Sequence, residues 1–221
     1  MAGRDGPGHD GSLGAENLPQ NLNLVACDLT AIRGGRVVFR GLSFSVEAGQ
    51  ALAIEGPNGA GKTSLLRMIA GFLAPASGTI RMKIDDAGIE DGEERGKRAG
   101  WLGHSDAVKP QMTVRETLAF FGRLYGAGPD VDGAMERVAL TRLADLPGQY
   151  LSAGQRKRVA LARLALCARP LWLMDEPLAA LDSAGKGLAA ELIAQHCARG
   201  GIAVVATHEP LGIDCRRLVL S

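Results

Sequence analysis

Residues 56–64 read GPNGAGKTS, and this stretch constrains the fold more than any other. It matches G-x-x-x-x-G-K-[ST], a pattern that holds an anion only between a strand that delivers it and a helix that receives it. Gly56, Gly59 and Gly61 let the backbone turn tightly and aim successive N–H groups into one concavity. The helix that follows adds its positive N-terminal end. Both neighbours are in place. QALAIEG (50–56) is an apolar run of strand length, and KTSLLRMIAGFL (62–73) carries helical apolar spacing. The pattern predicts a strand–loop–helix unit that cradles phosphates.

The rest of the chain extends that unit. LNLVACDLTAI (22–32) and VVFRGLSFSV (37–46) have strand character, the second with Leu42, Phe44 and Val46 on one face, and SGTIRM (77–82) is another strand. The charged, glycine-bearing stretch DDAGIEDGEERGKR (85–98) reads as a solvated hairpin or loop. TVRETLAFFGRLYG (113–126) reads as a helix opened by the capping box Thr113–Glu116 and closed by Gly126, Gly128 and Pro129. A short helix is predicted over 134–143, a strand at LWLMD (171–175), a helix over 183–199 and a strand at IAVVAT (202–207). Strands alternating with helices mean an α/β domain with a mainly parallel core sheet. The early strands supply an antiparallel β part. The helix-only stretch marks an inserted helical subdomain, about residues 105–165. Residues 1–22, rich in Gly, Asp and Asn, have little to bury and are expected to form a disordered tail ahead of the domain at 23–221.

Composition narrows the class of partner. Lys and Arg number 25 against 24 Asp and Glu, so no global field recruits nucleic acid or anionic lipid. Cys27, Cys167, Cys197 and Cys215 show no metal-ligand spacing and fit a reducing compartment. No apolar stretch approaches the ~18 residues that span a bilayer, and the N-terminal segment lacks the apolar centre of a signal peptide. The expectation is a cytosolic chain with no span of its own and no nucleic-acid role.

The chemistry concentrates at strand ends. In the phosphate loop, Pro57, Asn58 and Ala60 complete the turn, Lys62 offers a point charge to the β- and γ-phosphates, and Thr63, followed by Ser64, offers a hydroxyl to Mg²⁺. LWLMDEP delivers Asp175 and Glu176 to the carboxyl edge of the sheet, where open α/β sheets bind ligands. Asp175 suits Mg²⁺ ligation or its hydrogen-bonded shell. Glu176, one residue on, suits acceptance of a proton from water attacking the γ-phosphate. His208 stands where the next strand ends and suits a γ-phosphate contact that orients water and Glu176.

LSAGQRKRV (151–159) raises a different problem. Ser152 and Gln155 fit a capping box, which accounts for where a helix starts. It accounts neither for Gly154 nor for three cations set against the helix dipole. One nucleotide needs one phosphate loop. A second free helix end therefore reads as addressing a triphosphate held by another copy of the chain, with the cations either favouring that anion or lying solvated beside it.

The order GPNGAGKT, LSAGQ, LMDEP, LAALD and TH resembles the nucleotide-binding subunit of an ATP-binding-cassette (ABC) transporter over about residues 23–221. The resemblance implies a phosphate-loop NTPase fold of the ABC ATPase type that hydrolyses ATP with Mg²⁺. It also implies a head-to-tail homodimer in which Ser152, Ala153, Gly154 and Gln155 act in trans and Asp182 speaks across the interface. More narrowly, WLGH, LSAGQRKRVALARL and TH-x-PL are similar to the haem-exporter-type ATPase of bacterial cytochrome c maturation. That likeness implies a complex with an integral membrane subunit, peripheral on the cytoplasmic face of the inner membrane, powering haem export or haem-chaperone release. It places His104, beside Ser105, at a position that is glutamine in most cassettes. Ala153 stands where most have glycine. The residue aligned with the adenine-stacking aromatic is Arg33, with Phe39 as the alternative. An ABC ATPase serving iron–sulfur cluster assembly, and the ATPase of another small-solute transporter, share the phosphate-handling motifs and stay open at this point. The length leaves no room for the coiled coils of DNA-repair cassettes, and Glu176 with His208 argue against a module that binds ATP without hydrolysing it.

Overall fold

The computed structural model describes residues 18–19, 21–125 and 130–221. The expectations for a tail over 1–22 and for helix closure at Gly126, Gly128 and Pro129 lie largely outside those residues, although strand pairing already includes Leu22. In chain order the elements are β1 (Leu22–Arg33), β2 (Arg36–Glu47), β3 (Ala51–Glu55), α1 (Lys62–Ile69), β4 (Ser77–Ile84) and β5 (Ala87–Ile89). There follow α2 (Gly92–Lys97), β6 (Ala99–Leu102), α3 (Val114–Leu124) and α4 (Val131–Arg137). Two 3₁₀ turns precede α5 (Ala153–Ala165), β7 (Leu171–Asp175), α6 (Ser183–Ala198), β8 (Ile202–Ala206) and β9 (Arg216–Val219).

Two sheets form. One is antiparallel in the order β2-β1-β4-β5; the other is parallel in the order β6-β7-β8-β3-β9. Strand periodicity explains how the parallel sheet holds two cores at once. Leu52 and Ile54 of β3, Leu171 and Leu173 of β7, and Ile202 and Val204 of β8 face α1 and the antiparallel sheet. Their alternates Ala51 and Ala53, Trp172 and Met174, and Ala203 and Val205 face the helical layer of α3 to α6. Burial on both faces is why these strands read as unbroken apolar runs.

Three expectations need correction. The stretch 85–98 does begin as a hairpin, since β5 pairs with β4, but α2 follows it and its Arg95 is only 4% exposed. The guanidinium donates to the carbonyls of Met68 and Ile69 at the end of α1, to Ile80 and to Glu90. A cation at a helix C-terminus meets the negative end of the dipole, which is how a charge can be buried there. The short helix expected at 134–143 starts earlier, at Val131, because the Asp130 side chain caps Gly133 N–H, and only a 3₁₀ turn occupies Thr141–Leu143. β6 and the edge strand β9 were not anticipated. The two capping boxes are as expected at Thr113 and Ser152.

Candidate functional site

The four strands of the parallel sheet that carry candidate residues end at one place. β3 runs into the phosphate loop, β6 into Gly103 and His104, β7 ends at Asp175 and Glu176, and β8 runs into Thr207 and His208. Because the strands are parallel, their carboxyl ends share an edge, and a cleft of about 830 Å³ opens there. Pro57, Asn58, Gly59 and Gly61 form its floor with Lys62, Thr63 and Ser64. Asp175, Glu176, His104 and Ser105 close one side, and Arg33 stands on the wall with Val38.

The loop's glycines have separate reasons. Gly56 has φ +143 and would place a Cβ 2.3 Å from the Leu220 carbonyl oxygen, so both conformation and space exclude a side chain. Gly61 has φ +98 and would place one 2.5 Å from Val38 Cγ1 and 2.9 Å from Phe39 Cδ1. Phe39 thus packs beneath the loop, 8% exposed within the core, while Arg33 is the candidate that reaches the cleft. Ala60 likewise turns inward.

The polar groups are already arranged. Lys62 Nζ donates to the carbonyls of Gly56 at 2.7 Å and Pro57 at 3.3 Å, so its charge is held over the loop. Thr63 Oγ1 donates to Asp175 Oδ2 at 2.9 Å, and Asp175 is 7% exposed. A hydroxyl and a buried carboxylate side by side are hard oxygen donors of the kind Mg²⁺ takes. Glu176 sits at φ +50, a left-handed conformation that costs a non-glycine residue and turns its side chain out of the strand direction. Its N–H donates to the Ala206 carbonyl at 2.9 Å, and its Oε2 lies 2.9 Å from His208 Nδ1. Thr207 Oγ1 bonds both the N–H and the carbonyl of Glu209, and Glu209 pairs with Lys186 of α6. His208 thus projects from a braced turn.

His208 does not itself line this cleft and meets it through Glu176; the segment 152–155 and Asp182 do not line it either. Ser152 Oγ accepts from Gln155 N–H at 3.2 Å while Gln155 Oε1 accepts from Ser152 N–H at 2.8 Å. Ser152 and Ala153 are exposed. Gly154 has a reason within its own chain: a Cβ there would lie 2.7 Å from the Ala180 carbonyl, so the helix end abuts the turn that leads to Asp182. Asp182 in turn caps α6 through Gly185 N–H. Of the three cations, Lys157 is buried, while Arg156 and Arg158 are half-buried, and each has a partner within its own chain. Arg156 donates to the Leu151 carbonyl, Lys157 pairs with Asp106, and Arg158 reaches the Val138 and Ala139 carbonyls at the end of α4.

Sequence reasoning missed Arg67 and Trp101, which also line the cleft. Arg67 carried a usable signal, because four residues after Thr63 puts it on the same helix face. Trp101 stood in the WLGH motif, three residues before His104, but was given no role.

The ABC transporter family profile matches residues 39–179. The cytochrome c biogenesis ATP-binding export protein CcmA of Rhodopseudomonas palustris (strain BisB5) is 50% identical over 191 residues, covering 86% of this chain and 94% of that protein. The protein of the same name from Rhizobium meliloti (strain 1021) is 45% identical over 196 residues, covering 86% and 93%. Among solved structures, a bacterial Atm1-family ABC exporter with ATP bound superposes with TM-score 0.77 at 26% identity, covering 92% of this chain and 38% of that one. An ATP-binding subunit of an ABC transporter superposes at 0.72 and 23% identity, covering 84% and 79%.

Proposed function

The chain belongs to the ABC transporter family, and on that premise we propose that it is the ATP-hydrolysing subunit of an ABC complex serving the biogenesis of c-type cytochromes. The observation that carries the reading is the meeting of Lys62, Thr63–Asp175 and Glu176–His208 at one sheet edge, in a chain half identical to cytochrome c biogenesis export proteins.

The residues suggest how hydrolysis proceeds. The triphosphate lies along the loop's N–H groups, and Lys62 exchanges its two carbonyl acceptors for phosphate oxygens. Thr63 and Asp175 would hold Mg²⁺, which when bound neutralises charge on the β- and γ-phosphates. Glu176 accepts the proton of the attacking water, and His208 fixes the carboxylate and contacts the γ-phosphate. Arg33 offers its guanidinium plane to the base. The exposed Ser152 end, with Gly154 and Asp182 behind it, completes the site of a second copy in a head-to-tail homodimer.

No helix among the described residues is long and apolar enough to cross a membrane. Work on haem export or haem-chaperone release therefore needs an integral membrane subunit, with this chain docked at the cytoplasmic face of the inner membrane. The test is co-purification from membranes combined with phosphate release. A polytopic partner of the cytochrome maturation system, and ATPase activity lost in Glu176→Gln, are expected. A soluble iron–sulfur scaffold as the partner would overturn the assignment.

A further inference from the structure

Lys157 is an odd residue to find where it is. It sits in the second turn of α5, and it is only 5% exposed. Removing an ammonium from water costs several kcal/mol unless something answers its charge. Asp106 does so, with Oδ1 3.0 Å from Nζ. The contact is one of charge, because no donor is aligned on that buried oxygen as in a hydrogen bond. Two residues before Asp106 stands His104, on the cleft wall; five residues before Lys157 stands Ser152, at the exposed helix end. The loop beyond Asp106 is laced to the chain leading into α5, since Gly148 N–H donates to the Met112 carbonyl at 2.9 Å and Gln149 N–H to the Pro110 carbonyl at 3.0 Å.

We propose that the Lys157–Asp106 pair is a positioning device that ties the helix end at Ser152 to the cleft wall at His104, so that the wall sets where that end is presented to a second subunit. Neither residue lines the cleft. Stability alone is a poor reason for such a pair, because buried ion pairs are often replaced by apolar residues at no loss. That same fact supplies a probe. Lys157→Met with Asp106→Leu keeps the site filled while removing the charges that fix its geometry.

The inference rests on the reading of Ser152 and Gly154 as acting in trans, and the experiment separates the two. In the full-length chain carrying Glu176→Gln, ATP-driven dimerisation is followed by sedimentation, and binding of a fluorescent ATP analogue is measured on dilute monomer. The double replacement is expected to leave monomer affinity within about twofold and the melting temperature within a few degrees. It should raise the dimer dissociation constant about tenfold or more, about 1.4 kcal/mol per tenfold. Lys157→Arg should dimerise like the parent. If the double variant fails to fold, Lys157→Gln with Asp106→Asn, which removes both charges at nearly the same volume, is read the same way. Dimerisation equal to the parent in either double variant makes the pair structural only and overturns the proposal. A Glu176→Gln parent that stays monomeric with saturating ATP overturns the trans reading itself, and the proposal with it.

Discussion

His208 Nδ1 lies 2.9 Å from Glu176 Oε2, joining side chains that the ends of β8 and β7 deliver from adjacent, parallel positions in the sheet. The backbone reinforces the join, since Glu176 N–H donates to the carbonyl of Ala206, two residues before the histidine. Glu176 holds φ +50 to make this contact. A strained residue locked to a neighbouring strand end is pre-set, which suits the role proposed for Glu176.

Under the proposed mechanism, Glu176→Gln should remove the proton acceptor without disturbing the cradle. Phosphate release is expected to fall by about 10²–10⁴, with ATP affinity little changed. His208→Ala should lower the same rate by a smaller factor, because Glu176 keeps its backbone bond to Ala206. Equal losses from both, in single-turnover measurements, would mean that the histidine does more than orient.

The glycines of the phosphate loop should separate by mechanism in the nucleotide-free protein. Gly56→Ala combines φ +143 with a Cβ 2.3 Å from the Leu220 carbonyl, whereas Gly59→Ala, at φ +89, meets nothing within 4 Å. Strain alone costs of order 1–3 kcal/mol, and a backbone clash adds to it. The melting temperature is expected to fall further for Gly56→Ala than for Gly59→Ala, and a reversed order would contradict the packing described for Leu220.

What could be read from sequence follows from how local each signal is. The phosphate loop and the capping boxes at Thr113 and Ser152 are complete within a few residues, so pattern and structure coincide there. Arg95, in a stretch read as a solvated hairpin or loop, and Lys157, read as solvated or as favouring an anion, are in fact buried. Their partners are backbone carbonyls and a carboxylate up to 51 residues away, at Asp106 for Lys157. Nothing in a charged segment announces that its charge is already used. β9 was missed because RRLV, at a sheet edge, has no apolar repeat to find. Gly154 was assigned to phosphate approach alone, while its contact with the Ala180 carbonyl shows that the fold requires it too.

Arg95→Met should test the buried guanidinium. Its loss leaves the carbonyls of Met68, Ile69, Ile80 and Glu90 without that donor, two of them at the C-terminal end of α1. With about 1–3 kcal/mol for a buried group left unsatisfied, an overall loss of about 3 kcal/mol in urea unfolding is expected. Arg95→Lys should recover only part, because one ammonium cannot reproduce the planar fork. A stability loss below about 0.5 kcal/mol for Arg95→Met would mean that water reaches those carbonyls.

His196 gives the folded state a pH dependence whose sign can be worked out. Its ring stacks on Trp172 at 3.9 Å and 7°, and on the other side Gly201 lies so close that a Cβ would fall 2.3 Å from the ring. Nε2 sits 3.3 Å from the Ile202 carbonyl. Burial is the largest influence on the imidazole and drives its pKa down from 6.5 to about 4. The folded protein thus holds a neutral ring where the unfolded chain takes up a proton. Stability from this group is complete above about pH 6.5 and is lost as the pH falls towards 4, by roughly 3 kcal/mol over the whole window. His196→Phe keeps a planar ring between Trp172 and Gly201 but cannot titrate. Urea unfolding at pH 7 and pH 4.5 should show a drop in the parent that exceeds the drop in the variant by roughly 2–3 kcal/mol. Equal drops would place the acid sensitivity among the surface carboxylates instead.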